Sequence, residues 1–177
     1  GRVAGVGCPP AALCLGGMLG AADPAAALRW TRLAPLPDRE GFAYPYAGVH
    51  NGALLVAGGA NFPDKKPWEG GTKIWYDTVF VLEKPDGAWR TAGRLSRPLG
   101  YGVSLSTSDG VVCLGGSDVQ RHYADAFLLR WIGGRLETKP LPPLPKRVAN
   151  FCGALLGRTI YVAGGIEQSG PYTFALH

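Results

Sequence analysis

Two loops and one tyrosine gather most of the side chains in this chain that could do chemistry. The first loop, Ala60 to Ile74, sets an amide (Asn61), two rings (Phe62 and Trp68) and an ammonium (Lys73) close together. An amide hydrogen-bonds a polar ligand, a ring stacks on an apolar face, and an ammonium meets an anion, a combination suited to orienting a small molecule in a pocket. The rival reading is a solvated excursion that Lys65 and Lys66 keep soluble. The second loop, Ser117 to His122, holds Asp118, Arg121 and His122. Arg121 could fork onto a carboxylate, and a surface ion pair with Asp118 is its competitor. Tyr101 opens an apolar run, so its hydroxyl either reaches a ligand or its ring packs in the core. No His/Tyr/Cys constellation persuasive for copper ligation is present, so no metal site is expected.

The elements that must position these groups are announced by a repeat. Apolar runs end in paired glycines at Gly58-Gly59, Gly115-Gly116 and Gly164-Gly165, and the first glycines lie 57 and 49 residues apart. That period is the one of kelch-type propeller blades. A Leu-Pro turn precedes each pair (Leu33 to Pro37, Leu95 to Pro98, Leu141 to Pro145), leaving room for two strands and a hairpin between turn and glycines. Thr78–Leu82 and Ala126–Leu129 read as third strands, and a fourth follows before the next turn. The fold class is therefore all-β, a kelch-type β-propeller, here a partial propeller of about three four-stranded antiparallel blades. Glycine is expected where backbones approach closely, Trp30 and Trp89 in inter-blade packing, and Cys113 and Cys152 as small buried hydrophobes rather than a disulfide. His50, in the turn Val49-His50-Asn51-Gly52, is expected to be exposed, and Asp77 and Asp125 to be turn residues.

Residues 1–22 differ from the rest: uncharged from Val3 to Ala22, apolar, and ending in Gly20-Ala21-Ala22 before Asp23. Interrupted by Pro9-Pro10 and glycines, this stretch is a poor membrane span and is expected to be a secretory signal peptide, making the protein exported, periplasmic or secreted. A disordered leader is the alternative. Residues 23–177 are then the partial propeller, expected to stop inside a blade, with Tyr172 to His177 read as the start of the strand that should follow Gly164-Gly165. Lys and Arg total 18 against 13 Asp and Glu, a formal +5. The basic residues are scattered between strands, which disfavours nucleic-acid binding, and a mildly positive surface suits an anionic small ligand.

Four stretches taken together, Gly41-Phe42-Ala43 through Ala47-Gly48-Val49, Ala57 through Pro63, Trp68-Glu69-Gly70-Gly71-Thr72-Lys73 and Tyr101-Gly102-Val103-Ser104, resemble the kelch-type N-acetylneuraminate epimerases, the sialic acid mutarotases. The early position of the matching blades points to their cyclically permuted subgroup. The resemblance implies a six-bladed parent, a sugar-acid substrate, no cofactor, and interconversion of the α and β anomers by proton transfer: a base takes the anomeric hydroxyl proton, an acid protonates the ring oxygen, and the ring opens and recloses. By the chemistry of their loops, Asn61 could donate to sugar hydroxyls or the N-acetyl carbonyl, Phe62 and Trp68 could stack on the sugar, and Lys73 could meet its carboxylate, a structural or solvent-exposed role being the alternative for each; Tyr101 and Arg121 are further substrate-binding candidates. The family's glutamate followed six residues later by arginine has no counterpart. Glu167 follows a glycine pair, but Thr173 stands six residues on, so the acid/base is expected beyond His177 and the catalytic residues are unknown. A non-catalytic propeller that binds a protein or glycan is the alternative.

Overall fold

The computed structural model describes residues 29–169 and 172–175, and the strands all lie in the compact unit spanning Leu33–His177. In chain order they are β1 (Tyr46–His50), β2 (Ala53–Ala57), β3 (Ala60–Asn61), β4 (Ile74–Trp75), β5 (Thr78–Leu82), β6 (Arg90–Arg94), β7 (Val103–Thr107), β8 (Gly110–Leu114), β9 (Ala126–Ile132), β10 (Arg135–Pro140), β11 (Val148–Ala149), β12 (Cys152–Leu156), β13 (Thr159–Ala163), β14 (Ile166–Ser169) and β15 (Tyr172–Ala175). Two complete antiparallel blades result, β1-β2-β5-β6 and β7-β8-β9-β10, followed by the hairpin β12-β13 of a third. This is an arc of a kelch-type β-propeller. The segment expected to be a signal peptide lies outside the described residues. No helix among the described residues is long and apolar enough to cross a membrane.

The core lies between blades. Every residue of β8 is buried, because that strand is covered on both faces. Val111 and Cys113 pack toward the first blade with Tyr46, Leu55, Val79 and Leu99, whereas Val112 and Leu114 pack toward the third with Val148 and Phe151. Two-sided burial is why the strand reads as an unbroken apolar run. The first strands of adjacent blades lie side by side, β1 on β7 and β7 on β12. An inner edge of this kind needs partners for its free backbone groups, and β7 supplies them to β1. Ser104 Oγ accepts the Ala47 N–H (2.9 Å) and donates to the Ala47 carbonyl (2.8 Å), and Ser106 Oγ accepts the Val49 N–H (2.8 Å).

The first two glycine pairs solve the same contact problem. Gly58 and Gly115 are left-handed (φ 66° and 60°), and a Cβ there would sit 2.1 Å from the Leu99 carbonyl oxygen or 2.6 Å from that of Val148. The glycine that follows donates its N–H to the same carbonyl, Gly59 to Leu99 (2.7 Å) and Gly116 to Val148 (2.8 Å). Past each pair the chain pairs briefly again: Ala60 bridges Ala43 and Trp75, Ser117 bridges Gly100 and His122, and Ile166 bridges Ala149 and Ala175.

That small sheet corrects the expectation for the last residues. β15 pairs with β14, as β4 does with β3, and so is the return of the post-glycine loop and not the blade's third strand. Among the described residues the third unit accordingly shows two blade strands, β12 and β13, in keeping with a partial propeller. His50 is buried, not exposed: β9 extends past the end of its pairing with β8, and the turn after β1 fills the gap, His50 Nδ1 accepting the Trp131 N–H (2.9 Å) and Asn51 Nδ2 donating to the Trp131 carbonyl (2.8 Å). Trp30, expected to be packed, lies outside any strand and is 92% exposed. Trp89 is half-buried and donates Nε1–H to the Ala34 carbonyl (2.8 Å). Both cysteines are free; Cys113 is buried as expected, but Cys152 is exposed because β12 and β13 leave most of their residues uncovered. Asp77 and Asp125 precede their strands and pair with Arg94 (2.6 Å) and Arg97 (3.5 Å).

Candidate functional site

The loop between β3 and β4 is held from three directions. A one-turn 3-10 segment at Pro67–Glu69 reverses it, the Lys66 carbonyl accepting N–H bonds from Glu69 (3.0 Å) and Gly71 (3.1 Å). Gly71 packs so tightly on Lys65 that a Cβ would overlap its carbonyl oxygen. Lys66 Nζ pairs with Glu40, and that hydrogen bond, with the nearby positive charge, holds the Glu40 carboxyl below its ordinary range. Asp38 anchors the base: its Oδ1 accepts N–H bonds from Glu40 (2.9 Å), Gly41 (2.8 Å) and the Asn61 side chain (3.1 Å).

Asn61 is buried and committed. Its second donor contact is to the Gly41 carbonyl (2.8 Å), and its Oδ1 accepts the Tyr76 hydroxyl (2.8 Å). Burial, followed by the charge of Asp38, raises the Tyr76 phenol above its ordinary value. With both N–H donors occupied, Asn61 braces the loop.

Above this brace opens a cavity of about 240 Å³, lined among others by Asn61, Phe62, Lys66, Lys73 and Tyr101. Lys73 reaches it from β4's approach, its Nζ 4.3 Å from the Tyr101 ring centroid, 5.1 Å from Trp75 and 5.9 Å from Phe62. Three rings around one ammonium hold it by cation–π attraction, worth about 0.5–1 kcal/mol per exposed contact. Among the described residues Lys73 has no carboxylate partner, so its charge stays available to an anion. Lys73 also borders a second cavity, about 390 Å³, between Thr72–Trp75 and Asp118–Gln120. The Trp75 indole N–H is buried and has no partner among the described residues.

Of the six residues singled out in the sequence, four therefore meet at one cavity: Asn61, Phe62, Lys73 and Tyr101. Trp68 sits on the 3-10 turn, 81% exposed and away from the lining. Arg121 lies on the next blade with its guanidinium 5.0 Å from the Tyr123 ring centroid, and Arg97 lies 4.6 Å from the same centroid. Asp118 does not form the anticipated ion pair with Arg121. It closes its own loop, accepting the Tyr123 hydroxyl (2.6 Å) and the N–H groups of Gln120 (2.7 Å) and Arg121 (3.0 Å). Glu167 pairs with Lys146 (2.9 Å).

Sequence reasoning missed Tyr44 and Trp75. Tyr44 stacks on Tyr101, centroids 4.8 Å apart and planes at 25°. Its signal was present, since Tyr44 precedes Tyr101 by the same 57 residues that separate the glycine pairs. The assembled groups can bind and orient an anion that has an apolar face; Glu40, which lines the cavity, is engaged by Lys66, and Asp38 by the Asn61 side chain.

The family model for N-acetylneuraminate epimerase matches residues 21–138, a span that contains every residue of the cavity. The chain is 38% identical over 110 residues to the N-acetylneuraminate epimerase of Yersinia pestis (strain Pestoides F), covering 55% of this chain and 27% of that one. It is 38% identical over 108 residues to the N-acetylneuraminate epimerase of Salmonella enteritidis PT4, covering 52% and 28%. It thus spans about a quarter of the length of these curated relatives. A solved structure titled "Structure of YjhT" superposes with a TM-score of 0.57 at 26% identity, over 63% of this chain and 34% of that chain. With two-thirds of its length matched, and with the glycine-paired blades that the match spans, this chain belongs to the N-acetylneuraminate epimerase family.

Proposed function

We propose that the protein is a mutarotase that interconverts the α and β anomers of N-acetylneuraminate, and that this segment supplies part of its sugar-acid binding mouth. Membership of the family, over a span that includes the whole cavity, carries the reading. Anomer exchange requires loss of the anomeric hydroxyl proton and protonation of the ring oxygen, with the open keto form between. A positioned acid or base contributes about 10²–10⁴-fold to such a step. Neither proton transfer is assigned to a residue of this cavity. Lys73 receives the carboxylate, Phe62 and Tyr101 bound the sugar's apolar face, and Asn61 keeps the loop in place. Trp68 and Arg121 stand outside this pocket and have no role in it. Export through the leader at residues 1–22 belongs to the same reading.

The test is anomer-resolved NMR on the full-length protein with N-acetylneuraminate, comparing wild type with Lys73→Gln. Wild type should equilibrate the anomers faster than buffer does. Lys73→Gln should raise KM about tenfold or more, the loss expected of one charge-assisted contact of about 1.5–3 kcal/mol. Exchange at the uncatalysed rate with folded wild type overturns the proposal.

A further inference from the structure

One position of the repeat is left-handed in all three units without being glycine: Tyr44 (φ 51°), Tyr101 (φ 65°) and Asn150 (φ 56°). Their backbones are linked across the blades, Tyr101 N–H to the Tyr44 carbonyl (3.0 Å) and Asn150 N–H to the Tyr101 carbonyl (2.8 Å). Asparagine tolerates this conformation better than most side chains, whereas a bulky ring is held there at a cost. Burial does not offset that cost at Tyr44. Tyr46, two residues on, is 1% exposed, but Tyr44 is 64% exposed. Its ring lies nearly parallel to that of Tyr101, which lines the cavity and carries the Lys73 ammonium.

Strained residues that the surrounding structure over-determines cluster at ligand clamps. Tyr44 does not itself line the cavity; its exposed ring, stacked on Tyr101, adds an aromatic surface beside a residue that does. We infer that Tyr44 is a ligand-contact residue, forming with Tyr101 a two-ring shelf for the apolar face of the sugar acid whose carboxylate sits on Lys73. The inference rests on the mutarotase reading above.

Full-length wild type, Tyr44→Asn and Tyr44→Phe are compared by anomer-resolved NMR with N-acetylneuraminate, with melting temperature as the folding control. Asparagine is chosen because Asn150 already occupies the equivalent backbone. Tyr44→Asn should raise KM about three- to tenfold with kcat within about twofold, and Tyr44→Phe should restore KM, the pattern of lost binding shared by ground and transition states. In wild type with ring-labelled tyrosine, saturating sugar should shift the Tyr44 resonances, a readout that needs no variant. An active wild type whose Tyr44 resonances do not move, or a folded Tyr44→Asn with unchanged KM, overturns the shelf and leaves the mutarotase standing. A wild type no faster than buffer overturns the mutarotase, and the shelf falls with it.

Discussion

Gly48 tests whether the blades pack as described. It lies in β1 opposite Leu55 of β2, and its backbone is not left-handed, so alanine is conformationally permitted there. Space is what alanine lacks: its Cβ would lie 2.6 and 2.8 Å from the two γ-methyls of Val111 in the next blade and 2.9 Å from Ser106 Oγ. Val111 is 1% exposed, and Ser106 is pinned by the Val49 N–H, so neither neighbour gives way cheaply. Overpacking of a filled core costs about 1–3 kcal/mol, and Gly48→Ala should sit in the upper half of that range. Val111→Ala removes two methyl groups at about 0.8 kcal/mol each and leaves a cavity, giving about 2 kcal/mol. In the double variant the alanine methyl at 48 enters the space vacated at 111, and Ser106 limits the fit. The double variant should therefore be more stable than the sum of the singles predicts, by about 1–2 kcal/mol. Urea unfolding followed by tryptophan fluorescence measures each corner of the cycle. Additivity within about 0.5 kcal/mol, or a neutral Gly48→Ala, would show that β1 does not lie against β8, and the inter-blade core would be refuted.

Tyr46 spans the same junction, its hydroxyl donating to the Gly115 carbonyl (2.5 Å), so Tyr46→Phe should lose about 1–3 kcal/mol in urea unfolding by leaving that acceptor unanswered; an unchanged midpoint would mean the bond contributes nothing. Burial raises the Tyr46 phenol well above its ordinary value, so its contribution is intact below about pH 10 and is lost as pH rises through the folded value. Asp118 behaves in the opposite sense: burial pushes its carboxyl up, but bonds from Tyr123, Arg121 and Gln120 prevail and hold it below the usual carboxylate range. Its stabilisation is present above about pH 4 and fades as pH falls through the folded value, so the stability gap between wild type and Asp118→Asn should narrow from pH 7 to pH 3. A gap that stays constant would contradict the ionised role.

Local pattern carries the blade, and distant contacts decide the rest. Glycine pairs, apolar runs and Leu-Pro turns each report a strand or a turn within a few residues, and β2, β5, β8 and β9 follow from them. The fate of Asn61 depends on Asp38, twenty-three residues earlier, and nothing in the loop's own composition shows its donors to be taken. His50 is a turn residue in sequence and an interior one in space because Trp131, eighty-one residues away, offers it an N–H. The last strand is misread from sequence for a related reason: short apolar segments look alike, and only pairing separates β15 from a third blade strand. Tyr44 escapes notice because backbone handedness at a tyrosine leaves no mark in composition, although its spacing to Tyr101 is legible.

The link from Tyr44 to Tyr101 to Asn150 is one of the contacts that fix how each sheet is turned relative to its neighbour, one amide and one carbonyl at a left-handed residue joining each pair. Repeat architectures derive their curvature from such nearest-neighbour steps. Altering the handedness of that residue would therefore change the angle at which one sheet meets the next, working against the serine bridges and the buried core that join the same two blades.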